Sequence, residues 1–289
     1  MKKVGTIREI WKYPVKGMGG QKVSECHLGM KGLTGDRVWA LRDTKRGEIQ
    51  SCKMRPDLLR CKAQFKQQSG PPSQRHEVDI FMPDGTVIST QDPEIESVLS
   101  ELVGHESTLE YLGSVDNQDF FRRYKKDQVQ WLEELKATFE REPGEPLPDL
   151  DNLSDVLVDY ITIPGTFFLV MPFHIVTTST ISHLKKLNPS ADWRIERFRP
   201  NIVIETLPDI EGLVEQDWLG KKILIGKSVV SCESSTPRCG AVTKKQQDLE
   251  QDTALLRTIV KDAAQNLGVY SQTDTEGMIK VGDEVFISD

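Results

Sequence analysis

Two short apolar runs, set between prolines and arginines, constrain this chain more than anything else in it. Ile202-Val203-Ile204 and Ile223-Leu224-Ile225-Gly226 read as strands. The first is entered through Arg197-Phe198-Arg199-Pro200-Asn201. The second follows an acidic, tryptophan-containing segment, Glu215-Gln216-Asp217-Trp218, and the stretch closes on Thr236-Pro237-Arg238-Cys239-Gly240. Two clusters of arginine thus frame one cysteine.

The residue types already point to a chemistry. Arg199 precedes a proline, which moves its backbone out of the α region and predicts an extended conformation at the mouth of the strand. A guanidinium held there suits a planar oxyanion such as phosphate. Asn201 offers amide donors and an acceptor, which can read the edge of a heterocycle. Cys239 lies beside Arg238, and a neighbouring cation favours the thiolate that soft metals prefer. Taken singly, an arginine before a strand is commonly a surface residue and a cysteine a small core residue. Taken together, the pattern points to an anionic, heterocyclic cofactor carrying a soft metal.

The rest of the chain reads as mostly β. Val4 to Trp11 is predicted as a strand, followed by Lys16 on a turn through Gly17, Gly19 and Gly20. Val38 to Leu41 reads as a strand, and Glu77 to Met82 returns through Pro83-Asp84-Gly85 into Thr86-Val87-Ile88. Asp92-Pro93 is expected to cap a helix on Ile95, Val98, Leu99 and Leu102, stopped by Gly104, with Tyr111 and Leu112 returning to the sheet. Residues 126–140 form an amphipathic helix on Val129, Leu132, Leu135 and Phe139, read as a packing insertion without chemistry. The proline-rich acidic segment from Glu142 to Pro148 is the expected linker.

Beyond it, Pro172 to Thr178 reads as a buried strand, and Ser179 as the cap of a helix ending at Asn188-Pro189. His174, flanked by apolar residues, reads as a hydrogen-bonded structural histidine. A helix follows from Asp252, buried on Leu255, Ile259 and Ala263, then Leu267-Gly268-Val269-Tyr270 and two short strands about a Gly-Asp turn. The expected organisation is an N-terminal β domain over residues 1–113, a helical insertion and linker over 114–150, and a second, β-rich domain with peripheral helices over 151–289.

Composition narrows the partners. At 289 residues with a formal net charge of −7, nucleic acid is not expected as a main partner. The five cysteines are odd in number, widely spaced and without a Cys-x-x-Cys pair, which argues against a disulfide framework, a zinc ribbon or an iron–sulfur cluster. A reducing compartment is the expected home. The longest apolar run, Phe167 to Phe173, is too short to span a bilayer, so a cytoplasmic protein without membrane contact or anchor is expected.

The motifs Phe198-Arg199-Pro200-Asn201, Glu215-Gln216-Asp217-Trp218, Ile225-Gly226 and Pro237-Arg238-Cys239 resemble the MOSC domain of molybdenum cofactor sulfurases and of the amidoxime-reducing component group. Tyr13-Pro14-Val15-Lys16 and Gly35-Asp36-Arg37-Val38-Trp39 resemble the β-barrel domain that precedes MOSC in the second group. The resemblance implies an N-terminal β-barrel domain followed by a β-barrel-containing MOSC domain. It implies a molybdenum cofactor, with Cys239 as catalytic thiolate ligand to molybdenum and Lys16, Arg37, Arg199, Asn201, Arg238 and Tyr270 holding the pterin and its phosphate. Four positions, in three places, depart from the family pattern. Val170-Met171 replace a hydroxyl pair, Gly17 replaces a serine, and Thr236 stands where a second cysteine is often found.

What the resemblance implies functionally is a molybdenum oxidoreductase acting on small N-hydroxylated substrates such as amidoximes. The alternative is a carrier of molybdenum cofactor, or of sulfur on Cys239, without turnover. The pyridoxal-phosphate desulfurase of the sulfurase relatives has no counterpart here, so that cofactor is not expected. With no four-cysteine run and no Gly-x-Gly-x-x-Gly after a strand, electrons are expected from a separate ferredoxin, flavodoxin or cytochrome.

Overall fold

A computed structural model describes residues 1–66, 76–126 and 130–288. The first part of the chain contributes β1 (Lys2–Lys12), β2 (Gln21–Val23), β3 (Glu25–Gly29), β4 (Gly32–Leu33), β5 (Trp39–Asp43), β6 (Glu48–Ile49), β7 (Lys62–Phe65), β8 (Val78–Phe81), β9 (Val87–Ser89) and β10 (Ser107–Tyr111), with helix α1 (Ile95–Val103) before β10. Helices α2 (Gln130–Ala137) and α3 (Asp155–Asp159) follow. The second part contributes β11 (Phe173–Thr177), α4 (Thr178–Leu187), β12 (Ile202–Thr206), β13 (Lys222–Ile225), β14 (Ser228–Pro237), α5 (Ala254–Asp262), β15 (Asn266–Thr275), β16 (Gly277–Lys280) and β17 (Glu284–Ile287).

The centre is a closed seven-stranded barrel. Its strands run β12-β11-β15-β14-β13-β17-β1, and β1 returns to β12 to close the ring. Strand β1 pairs antiparallel with β12 through Gly5↔Thr206 to Ile10↔Ile202 and with β17 through Lys2↔Ile287 to Thr6↔Glu284. The first strand of the chain is therefore a stave of the barrel that the second half builds. Gly5 is needed there, because a Cβ would meet the carbonyl oxygen of Glu205 at 2.0 Å. Ile7, Ile10, Ile175, Ile202, Ile204 and Ile223 share one buried core, as the inward faces of a small barrel should. Helices α4 and α5 cover one side on a second core that includes Leu184, Leu255 and Ile259.

Strand β2 pairs with β1, and β3 and β4 form a sheet with β16, while β5 to β10 form two three-stranded sheets, β10-β5-β6 and β7-β8-β9, around a core shared with α1. Gly104 ends α1 in the left-handed region at φ 63°, as a helix-stopping glycine should. Asp92 supports the start of α1 from two residues ahead of the cap position, accepting from the Glu94 amide at 2.9 Å. For α4 the cap is Thr177, not Ser179: its hydroxyl accepts from the Thr180 amide at 3.2 Å, while the Ser179 hydroxyl donates to Gly212. The two final strands flank their Gly-Asp turn without pairing together; β16 joins β3, and β17 joins β1 and β13.

Helix α2 is shorter than the periodicity predicts, and Val129 lies outside the described residues. The segment after it is not a free spacer. Arg141 Nε donates to the Pro146 carbonyl at 2.8 Å, and Glu145 pairs with Arg257 of α5.

Candidate functional site

The seven residues expected at the site come from five stretches of chain, and all seven line one cleft of about 170 Å³: Lys16, Arg37, Arg199, Asn201, Arg238, Cys239 and Tyr270. Lys53 and Arg197 also line it. Among the described residues no lining side chain is an aspartate or glutamate. Six basic residues therefore line the cleft, in a chain whose net charge is −7, and of these Arg37 and Arg197 are already paired with Asp36 and Asp192. Mutual repulsion at this density is costly unless an anion shares the space.

Each cation is fixed by the local fold. Lys16 is buried, and its Nζ donates to the Phe167 carbonyl at 2.7 Å. Burial, reinforced by Arg37, lowers its pKa from 10.5 to about 7. Arg37 is oriented by an ion pair with Asp36, whose other oxygen accepts from the Tyr13 amide at 2.7 Å. Arg199 does not take the extended backbone that its proline predicts. It sits in the left-handed region at φ 53°, ψ 47°, where it ends the 3₁₀ turn Ile195–Phe198. Its amide donates to Glu196 and its guanidinium to the Met18 carbonyl at 2.5 Å, so contacts at both ends hold a conformation that the side chain alone disfavours. Burial depresses the pKa of both Arg199 and Arg238.

Arg238 donates from Nη2 to the Phe198 carbonyl at 2.8 Å, while its buried Nε has no hydrogen-bond partner among the described residues. An orphaned guanidinium donor at an anion-favouring cleft is what a missing acceptor would leave. Cys239 follows directly at the end of β14 and opens a 3₁₀ turn, Gly240–Thr243, with its side chain 8% exposed. Gly240 lets the Glu140 side chain lie against it, because a Cβ would stand 2.2 Å from the Glu140 carboxyl carbon. The insertion is thus pressed onto the cysteine loop: Gly240 donates to the Thr138 carbonyl at 2.9 Å, and Arg141 donates to the Arg238 carbonyl at 3.0 Å.

Asn201 lines the cleft, yet its amide is committed within the protein. Its two hydrogens go to Trp11 O at 3.2 Å and Asp36 Oδ2 at 3.0 Å, and its oxygen lies 3.4 Å from Arg37 Nη1. With both donors taken, Asn201 braces Asp36 and Arg37, in place of the heterocycle edge anticipated for it. Tyr270 lies on β15 beside His174, with ring centroids 5.8 Å apart. His174 is buried with Nε2 3.2 Å from the Leu267 carbonyl, and burial lowers its pKa well below the ordinary value, which fits the structural role. The departures Gly17, Val170 and Met171 all line the cleft, whereas buried Thr236 does not.

Sequence reasoning missed the segment Ser51-Cys52-Lys53, which forms one side of the cleft. The Cys52 side of the cleft shares the lining with Lys16 and Arg199 and, among the described residues, with no acid. Its approach depends on Gly17 at φ 88°, where a Cβ would stand 3.3 Å from the Cys52 amide nitrogen. The glycine where relatives carry serine was the available signal.

Comparison with known proteins finds two domain families along the chain. A model described as the MOSC N-terminal beta barrel domain matches residues 4–105, and the MOSC domain matches residues 166–286. Human mitochondrial amidoxime reducing component 2 is 23% identical over 99% of this chain and 84% of its own length. Molybdenum cofactor sulfurase of Anopheles gambiae is 33% identical over 84 residues, 28% of this chain; the chain spans only 10% of that protein. Among solved structures, the YUAD protein from Bacillus subtilis aligns over 99% of this chain and 97% of its own with a TM-score of 0.44 and 12% identity. YiiM from Geobacillus stearothermophilus aligns over 41% of this chain and 55% of its own with a TM-score of 0.30 and 18% identity.

Proposed function

We propose, for a chain that carries a MOSC N-terminal beta barrel domain followed by a MOSC domain, that the cleft binds a molybdenum-bearing pterin and reduces N-hydroxylated compounds with electrons from a separate donor protein. The observation that carries this reading is the acid-free, cation-lined cleft with one buried cysteine in its wall. The residues fit such a group. Lys16, Arg199 and Arg238 would take its phosphate, the orphaned Nε of Arg238 would gain an acceptor, and Cys239 would ligate the metal. Among the described residues no cluster of three His, Cys, Asp or Glu could hold a metal unaided, so a metal here needs ligands brought with it.

When bound, the molybdenum would supply the two-electron chemistry. The chain's own part is to bind, orient and shield. Arg37 is held in place by Asp36 and Asn201, so its charge is preorganised before any ligand arrives. Phe168, Leu169, Val170 and Met171 give the cleft an apolar flank. Two-electron reduction of an N–OH group to N–H with release of water consumes two protons. The relationship to the amidoxime reducing component favours this substrate class over others.

The test is to express the chain in a host that makes molybdenum cofactor and measure molybdenum and pterin per chain. Turnover of an amidoxime with dithionite, and with a reduced ferredoxin or cytochrome, is then measured for the wild type and Cys239→Ser. The expected result is near-stoichiometric metal and turnover that Cys239→Ser abolishes. Turnover unaffected by that change would remove the thiolate from the reaction. Stoichiometric cofactor without turnover would assign the chain to carrying the cofactor, or sulfur on Cys239.

A further inference from the structure

A second chamber, of about 240 Å³, lies beside the cleft, and Ser51, Lys53 and Leu169 line both. Its outer wall is the inserted helix α2, through Trp131, Glu134 and Leu135, and its floor is the β5–β6 hairpin. Apolar surface comes from Trp131, Leu135, Ile49, Ile161 and Leu169. Most charged groups in the wall are already paired: Arg46 forks onto Glu134 at 2.9 and 3.2 Å, and Asp43 takes Arg55 and His105.

What is left over has a pattern. Trp131 is 8% exposed, and its Nε1 has no hydrogen-bond partner among the described residues. The same holds for Nε of Arg123, whose guanidinium lies 4.6 Å from the Trp131 ring centroid. Glu48 accepts one hydrogen bond, from the Tyr124 amide at 3.1 Å, which leaves acceptor capacity. Buried donors in folded proteins nearly always find partners, and these two have none among the described residues. A carboxylate beside them suits a ligand that both accepts and donates.

We propose that this insertion-walled chamber is the subsite for the body of the substrate, a single flat aromatic or heteroaromatic ring whose polar edge both accepts and donates hydrogen bonds. The proposal rests on the reductase reading for its link to turnover, though not for the binding itself. The volume agrees: about 150 Å³ already holds a benzene, and drug-sized sites begin near about 300 Å³. The ring would lie between Trp131 and Leu169, with its reactive N–OH group pointing past Lys53 toward the side where Cys239 sits. The insertion then serves as the specificity wall of the site, beyond its packing contacts.

The experiment measures binding of benzamidoxime to the full chain by calorimetry without reductant, for wild type, Leu135→Trp and Trp131→Phe. The ratio of kcat/KM for benzamidoxime over acetamidoxime is measured separately with dithionite. Leu135→Trp fills the chamber and is expected to weaken benzamidoxime binding at least tenfold and to lower the ratio similarly. Trp131→Phe keeps a ring and removes the Nε1 donor, with an expected threefold to tenfold loss; it decides the matter if Leu135→Trp does not fold. No benzamidoxime binding by the wild type, or affinity unchanged in the folded variants, overturns the chamber. Chamber-sensitive binding without any turnover leaves the chamber standing and sinks the reductase reading instead. Turnover of both substrates with an unchanged ratio does the reverse.

Discussion

Arg37 and Arg199, from opposite halves of the chain, place their guanidinium carbons 5.1 and 4.4 Å from the ring centroid of the same residue, Tyr13. Both hold left-handed backbones, at φ 50° and 53°. Tyr13 in turn donates its hydroxyl to the Pro200 carbonyl at 2.9 Å, next to Arg199. One ring thus braces two strained, like-charged residues. Tyr13→Ala is expected to cost about 3–5 kcal/mol of stability, and Tyr13→Phe about 1 kcal/mol. Arg199→Asn suits the left-handed backbone better, so its urea midpoint should rise above that of the wild type while sulfate affinity falls at least tenfold. A fall in both would show that the Met18 and Tyr13 contacts outweigh the strain.

Lys16 makes the empty cleft sensitive to pH. Its folded pKa of about 7 lies below its ordinary 10.5. The unfolded chain therefore holds more protons than the folded one between those values, and this group makes stability rise with pH across that window. Below pH 7 the full cost of a buried ammonium is present. An anion in the cleft favours the charged lysine, so sulfate binding above pH 7 should take up a proton and weaken as pH rises. Calorimetry in buffers of different ionisation enthalpy measures the uptake, and Lys16→Met should abolish it.

The thiols should separate by reactivity. Burial pushes Cys61 and Cys232 up to about 12 and raises Cys26 as well. These three should resist iodoacetamide at pH 8 in the native chain. Cys52 and Cys239 face the cleft, and mass spectrometry should find alkylation there first. Equal labelling of all five would show that the native fold does not protect the buried three.

Glu215 anchors the start of α4 from inside. Its carboxylate accepts from the hydroxyls of Thr177, at 2.7 Å, and Thr180, and burial raises its pKa. A raised carboxyl pKa means that the folded state keeps its proton longer, so this group lowers stability as pH climbs from 4.5 through the folded value. Glu215→Ala leaves two buried hydroxyls without their acceptor and should cost about 1–3 kcal/mol by urea denaturation.

Much of this was legible in the sequence because the chemistry-bearing residues sit next to prolines and glycines that fix the chain locally. Strands β12 and β13, α1 with Gly104, and the buried face of α5 could all be read from apolar spacing and breakers. The Arg199 backbone could not. The rule for residues before proline describes an isolated dipeptide, and here a 3₁₀ turn and a ring contact override it. Asn201 was misread for a related reason: its amide type was visible, while its partners Trp11 and Asp36 are remote in sequence. The Cys52 side of the cleft carries no motif, and only the missing side chain at Gly17 admits it.

Pairing of β1 with β12 and β17 also dictates an order of events during synthesis. Apart from its short pairing with β2 through Ile10 to Lys12, β1 has no strand partner until residues 202–206 and then 284–287 follow it out. Ile7 waits unpaired through that interval, although the α1-centred core can assemble meanwhile. A fragment lacking residues 2–12 would expose bare edges on β12 and β17, each a template for another copy's strand. Such a piece should be recovered from cells as aggregate, which makes the two halves translationally inseparable.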